Sequence, residues 1–293
     1  MKLDSVSFKN LFSRAIIMVK KEVILVTIAP EATLKSFHVR KFIEKKLKDN
    51  IKLLMKNNSV ELISVKDIGA RYVIETSDNK KAFELLKKCF GIHSLSVAVC
   101  AGYTKLEEIA AIAPDFANPE ATSFAVKGKS YSKLFGSKTL EEECGGTILE
   151  KYPRLKVNLS LPESIVYCIV SKESAYFFKE KILGAGGMPV GSQGAVALIC
   201  SSEKDEKLAW LLMKNGCVVR TIGGRLGTLT SWNSGMNLKE ITHEEAGLLL
   251  SERRITAFFT SAVDSELIKK HSELTGTKVF APMVIDSYLC GLD

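Results

Sequence analysis

The chain has 293 residues, 46% of them hydrophobic and 25% charged, which is apolar content for an ample core and for two or three domains. Its longest apolar runs are of strand length, so no membrane span and no membrane partner are expected, and no signal peptide is evident beside Lys2 and Asp4; a cytoplasmic protein is the expectation. The formal charge of +8 is uneven: residues 1–180 hold 29 Lys and Arg against 21 Asp and Glu, whereas residues 181–293 hold 12 against 12.

Residues 1–21 form an N-terminal extension in which Phe8, Leu11, Phe12, Ala15 and Ile16 follow helical spacing. The expectation is an amphipathic helix packed on the body, since the segment is too poor in basic residues for a membrane surface. Met18 stands just before the first strand, which leaves open whether residues 1–17 are translated.

Residues 22–103 read as a compact α/β unit. Val23–Ile28 is a predicted strand, and Leu34 to Met55 a helix with Phe42, Ile43, Leu47, Ile51 and Leu54 inward. Val60–Val65 and Arg71–Glu75 pair around Asp67–Gly69, Asn79–Cys89 is a second helix, and Ser94–Cys100 a last strand. Strand, helix, strand, strand, helix, strand is the ferredoxin-like order. The helix from residue 34 carries an excess of Lys and Arg over Glu44 and Asp49, which marks Lys35, Lys41 and Lys45 as candidate phosphate contacts. His38 and His93 are isolated and are assigned no chemistry.

This stretch resembles the N-terminal ferredoxin-like domain of tRNA 4-thiouridine synthases (tRNA sulfurtransferases). Phe90-Gly91-Ile92-His93 matches the turn after that domain's second helix. Glu31 and Lys35 match its Gly-Glu-x-x-x-Lys-Gly segment, with Pro30 and Ser36 replacing the glycines. Lys41 and Phe42 match beyond that segment, with Arg40 shifted by one position.

In residues 104–183, helices are predicted at Lys105–Ile112 and Thr139–Glu150. Strands are predicted at Ser123–Lys127, Leu155–Leu161, Ile165–Ser171 and Ala175–Leu183, with a turn at Pro162 between the second and third. Gly145-Gly146 weakens the second helix by about 1 kcal/mol per residue relative to alanine, so the pair needs a packing or contact reason. Gly-Gly-x-Ile-Leu-Glu and the proline turn after Asn158-Leu159-Ser160-Leu161 resemble the THUMP domain, an RNA-binding module of tRNA-modifying enzymes. The resemblance places a basic stretch at Lys129, Lys133 and Phe135. Lys127, Lys129, Lys133 and Lys138, interleaved with Tyr131 and Phe135, are the preferred RNA-contact set, against the alternative of a mobile lysine-rich loop.

Residues 184–194 carry five glycines and a proline, a shaped connection. Residues 195–293 read as a strand (Ala195–Cys200), a tight turn, a helix (Glu203–Asn215), then Cys217–Ile222, Thr242–Arg253, Ile255–Phe259, Asp264–Leu274 and Lys278–Phe280. Strands alternating with helices imply a parallel sheet. Gly-Gly-Met-Pro-Val-Gly, then Leu-Ile and Leu-Ala-Trp-Leu-Leu-Met-Lys-Asn-Gly, resemble the junction where a synthase THUMP domain meets its PP-loop ATP-pyrophosphatase domain. The fold class expected is therefore α/β with an α+β N-terminal half: ferredoxin-like and THUMP domains, then a truncated Rossmann-like PP-loop sheet about half the length found in the synthases.

The phosphate loop of that family reads Ser-Gly-Gly-x-Asp-Ser, whereas Cys200, Ser201, Ser202, Glu203, Lys204 and Asp205 stand here. Serines replace the glycines that admit a phosphate to the backbone, and carboxylates are added. Any nucleotide contact falls to Ser201 and Ser202, and the expectation is no cofactor, with ATP and magnesium lost. Gly223-Gly224-Arg225-Leu226-Gly227 is a weaker anion candidate, and Cys290 is the sole late cysteine for comparison with the family's sulfur acceptor. The cysteines are odd in number, scattered and without a C-x-x-C pair, so neither a disulfide framework nor a metal site is expected; no catalytic constellation is legible.

Three functions remain open on this sequence. One is a tRNA-binding protein with a degenerate PP-loop domain that serves dimerisation or partner docking. Another is an enzyme of tRNA thiolation, with an altered nucleotide site or ATP chemistry supplied by a separate enzyme. The third is a binder serving another modification system, such as a methyltransferase in trans. A homodimer is what the resemblance implies.

Overall fold

The computed structural model describes residues 20–200, 204–224, 226–232 and 238–283. It begins with β1 (Lys21–Ile28), α1 (Pro30–Thr33), α2 (Phe37–Asn57), β2 (Leu62–Asp67), β3 (Arg71–Thr76), α3 (Asn79–Lys87) and β4 (Ile92–Gly102). Next come α4 (Leu106–Ala110), a 3-10 turn at Ala113–Phe116, β5 (Ser123–Ser130), α5 (Ser137–Lys151), β6 (Lys156–Val157), β7 (Ser164–Val170), β8 (Ser174–Phe178) and β9 (Ile182–Leu183). The last part holds β10 (Ala195–Ile199), α6 (Asp205–Lys214), β11 (Val218–Ile222), a 3-10 segment at Gly227–Trp232 and β12 (Lys239–Glu240). It continues with α7 (His243–Ser251), β13 (Phe258–Thr260), α8 (Ser265–Thr275) and β14 (Val279–Phe280). These elements form two compact units, one from the chain up to Val26 with Ile63–Asn79 and Leu95–Ile182, the other from Thr27–Leu62, Lys80–Ser94 and the chain from Leu183 on.

The first unit is organised on a nine-stranded sheet of order β2-β3-β1-β4-β8-β7-β5-β6, with β9 on β4. Alternation along each strand separates two apolar layers. Val23, Leu25, Val73, Ala98, Ile169, Tyr176 and Phe178 pack in one. Phe124, Val126, Cys168, Val170 and Phe177 pack in the other with Leu140, Cys144 and Ile148 of α5.

Here the structure corrects the predicted order. Leu155–Leu161 does not pair with the next strand: only Lys156–Val157 is extended, and β5 lies between β6 and β7, parallel to both. Asn158 explains the early end, because its Oδ1 accepts from the amides of Ser160 and Leu161 while its Nδ2 donates to the Leu161 carbonyl at 2.9 Å. That Asx turn takes the backbone groups a strand ladder would have used. The helix predicted from Lys105 stops at Ala110, since Pro114 starts the 3-10 turn, and the strand predicted over Ala175–Leu183 is split into β8 and β9.

The second unit holds a five-stranded sheet of order β12-β11-β10-β13-β14, every pair of it parallel. Ala197, Ile199, Ile222, Ile255 and Phe258 form the core on one side, and Val196, Leu198, Leu208, Leu212 and Val219 on the other. The glycine-rich connection is held by backbone pairing: Gly91 donates to the Gly186 carbonyl, Gly186 to that of Ile92 and Met188 to that of Lys214, each at 2.8 Å. Gly187 has φ +70°, and a Cβ there would run into the Lys214 carbonyl, so only glycine fits.

The predicted helix from Leu34 is interrupted, because Ser36 is extended with ψ 156° and α2 starts after it. Phe42, expected inward, is 51% exposed. The buried stripe of α2 runs through Ile43, Leu47, Asn50, Ile51 and Leu54, and Phe42 stands about 100° to its side. Polar Asn50 belongs to that stripe and donates to the Val190 carbonyl at 3.0 Å.

Candidate nucleic-acid interface

The candidate interface of the first unit begins with β5. Phe124 and Val126 enter the α5 layer, so Lys127 and Lys129 point to the opposite face and are exposed. Gly128 between them donates its amide to Glu141 Oε1 at 2.8 Å and allows α5 to approach, since an added Cβ would lie 2.9 Å from Glu141 Cγ. Register carries the lysine face across the sheet: Lys127 is opposite Tyr167 of β7, and Tyr167 is opposite Phe178 of β8. The Tyr167 and Phe178 rings stack at 5.0 Å and 6°. Lys129 Nζ lies 5.9 Å from the centre of the Tyr131 ring.

Two cations on this face have no signal in the linear sequence. Arg71 opens β3 and donates from Nη1 to the Tyr131 hydroxyl at 3.1 Å, and Lys181 places Nζ 4.0 Å over the Tyr167 ring. They join Lys127 and Lys129 only through strand order, which a motif of adjacent residues does not encode. The other predicted residues of this stretch behave differently. Lys133 is exposed in the loop after β5, and Lys138, in the first turn of α5, faces Glu142 at 3.7 Å with both side chains largely in solvent.

Gly145 and Gly146 have no packing role: a Cβ at either would meet nothing within 4 Å. They line a groove of about 480 Å³ together with Phe124, Val126, Leu149, Val157 and Leu159.

Lys35, Lys41 and Lys45 belong to the second unit. Lys41 and Lys45 are one turn apart on the exposed side of α2, and Lys41 Nζ lies 5.0 Å over Phe37, a ring 66% exposed. Arg40 is held by Glu44 at 2.6 Å. Lys35 lies in the link before α2, beside a groove of about 660 Å³ that Glu31, Met188, Cys217 and Phe259 also line.

At the carboxyl end of the second sheet, Cys200 is held as a thiol. Burial, then the charges of Asp205 and Glu240, push its thiol up to about 12. Asp205 is buried and accepts a hydrogen bond from the Ser261 hydroxyl. Gly224 is packed against Cys200, where a Cβ would be 2.9 Å from the cysteine's own. His271 is buried, and burial followed by the charges of His243 and Lys270 lowers its pKa. Ser201, Ser202, Arg225 and Cys290 lie outside the described residues. Among the described residues no three His, Cys, Asp or Glu side chains converge on a metal position, and no helix is long and apolar enough to cross a membrane.

Comparison with known proteins agrees with this architecture. Residues 23–96 match the ThiI ferredoxin-like domain and residues 104–179 the THUMP domain, so the chain belongs to the proteins that join these two domains. Its curated relatives carry the name probable tRNA sulfurtransferase. One from Clostridium kluyveri is 33% identical over 234 residues, covering 78% of this chain and 58% of the relative. Another from Methanosarcina acetivorans is 31% identical over 205 residues, covering 66% and 48%. The chain thus spans about half the length of the curated relatives it matches.

Two solved structures share its fold. PH1313 from Pyrococcus horikoshii Ot3 has a TM-score of 0.77 at 22% identity, covering 90% of this chain and 94% of that one. A 4-thiouridine synthetase in complex with RNA and bound ATP has a TM-score of 0.66 at 20% identity, covering 89% and 81%.

Proposed function

We propose that this chain is an RNA-binding protein whose RNA is tRNA, and that it carries no ATP-pyrophosphatase activity of its own. The observation that carries the reading is the exposed face of Lys127 and Lys129 with Arg71 and Lys181, where cations stand among aromatic rings rather than beside carboxylates. Phosphate neutralisation with counterion release gives such a surface most of its affinity, and the tyrosines offer planar contacts. The names of the curated relatives and the RNA complex of the structural neighbour support tRNA as the nucleic acid.

The carboxyl end of the second sheet does not fit ATP and magnesium as a PP-loop would hold them. Serines stand at the glycine positions of the loop, and burial, then the charges of Asp205 and Glu240, push up the thiol of the flanking Cys200. A triphosphate brought there meets repulsion where a phosphate loop offers amide groups. We assign residues 195–293 a docking or dimerisation role.

The name of the relatives favours a second reading, in which the chain works within tRNA thiolation and a separate protein supplies the ATP chemistry. Both readings require RNA binding, which a titration with a tRNA transcript over a salt series tests. Affinity should fall steeply as salt rises, and a flat dependence or no binding would refute the assignment.

A further inference from the structure

We propose that Arg71, Lys127, Lys129 and Lys181, gathered by strand register around the Tyr167–Phe178 ring pair, form one phosphate-binding site that takes the phosphodiester groups of a bound RNA. The inference rests on the RNA-binding reading above and adds the subsite. Its elements are independent in sequence. Arg71 comes from β3 in the ferredoxin-like part, Lys127 and Lys129 come from β5 in the THUMP part, and Lys181 follows β8. Arg71 of the ferredoxin-like part reaches the THUMP lysines through its hydrogen bond to Tyr131.

Three observations point to an anion. Among the described residues, none of these cations is ion-paired with a carboxylate, whereas Lys20, Lys21, Arg40, Lys87, Lys138, Lys151, Arg154 and Arg254 are. Lys181 sits 4.0 Å over the Tyr167 ring and 6.0 Å from that of Phe178, so its ammonium is drawn onto an apolar platform and partly stripped of water. Its pKa is held below the usual lysine value first by that burial and then by the charges of Arg71 and Lys127. The cluster is thus a concentration of positive charge that the protein itself leaves unneutralised.

A phosphodiester relieves this better than a carboxylate side chain. Its oxygens can accept from several separate donors at once, Arg71 still has guanidinium N–H groups beyond the one given to Tyr131, and a charged acceptor offsets the repulsion among the cations. An acidic protein segment is the competing occupant, and the test separates the two.

The test uses the full chain and a tRNA transcript over a salt series. It compares the wild type with Arg71→Gln/Lys181→Gln and with Lys35→Gln/Lys41→Gln/Lys45→Gln. Each phosphate contact contributes about 0.7–0.9 to the slope of log affinity against log salt. The Arg71/Lys181 pair should therefore lower the slope by about 1–2 and weaken binding by about tenfold or more at low salt. A slope and affinity equal to wild type would overturn the site while leaving the RNA-binding reading intact; absence of RNA binding by the wild type would refute that reading first.

Amine labelling of the wild type supplies a readout that needs no variant. Lys181 is open to an amine reagent, and bound tRNA should protect it while the exposed Lys269 of α8 stays reactive. Lys181 labelled equally with and without tRNA, or protected by polyglutamate but not by tRNA, would also overturn the proposal.

Discussion

The sheet face of the first unit and the carboxyl edge of the second unit's sheet carry charge in opposite ways. On the first, Arg71, Lys127, Lys129 and Lys181 stand among Tyr131, Tyr167 and Phe178. At the second, where an α/β fold most often receives a phosphate, Asp205 is buried against Ser261, and burial, then the charges of Asp205 and Glu240, oppose ionisation of Cys200. The contrast teaches that one chain can gather cations beside aromatic rings on one sheet face and bury a carboxylate beside the last strand residue of another.

That comparison can be sharpened by testing first whether the second unit depends on its own shaped parts. Gly187→Val should be the most damaging change, costing about 3 kcal/mol or more in denaturant unfolding, because the positive φ and the Lys214 carbonyl both exclude a side chain. Asp205→Ala should cost about 1–3 kcal/mol by leaving the Ser261 hydroxyl without its buried acceptor. If it costs nothing, Asp205 is not the anchored negative charge the comparison requires.

Thr242→Ala should cost about 1 kcal/mol, since Thr242 and Glu245 form a reciprocal capping box at the start of α7. Cys200 should resist thiol reagents at pH 8 in the folded protein and react on unfolding, because burial first pushes its thiol up to about 12. Rapid labelling in the native state would contradict the buried, raised thiol.

The smallest effect belongs to Asp115 in the first unit. Hydrogen bonds from Lys20 and Lys151 hold its carboxyl below the usual range. Its folded value lies below its unfolded one, so its contribution is present above the ordinary carboxylate pKa and is lost as pH falls through the folded value. Both partners are about half exposed, and Asp115→Asn should therefore cost less than about 1 kcal/mol at neutral pH and flatten the acid limb of the stability curve.

Much of the fold was legible because its signals are local. The apolar runs of β1 and β10 and the ferredoxin-like and THUMP signatures lie in consecutive residues. Boundaries failed where a single side chain competed with the backbone pattern, as Asn158 does after β6 and Pro114 does after α4. Phe42 misled because apolar character alone does not fix a helix face, whereas the stripe through Ile43, Leu47 and Asn50 does. In the candidate site, Lys127 and Lys129 stood out in a lysine-rich stretch interleaved with Tyr131 and Phe135 that resembles the THUMP basic stretch. Arg71 and Lys181 did not, since they arrive through the pairing of strands distant in sequence.

The most direct test of the account is a paired titration of the full chain with unmodified tRNA and with labelled ATP plus magnesium. The account predicts salt-sensitive tRNA binding and no ATP binding, with Ser201→Ala/Ser202→Ala leaving the RNA affinity unchanged. ATP binding that disappears in those serine variants would contradict it and return the second unit to nucleotide chemistry.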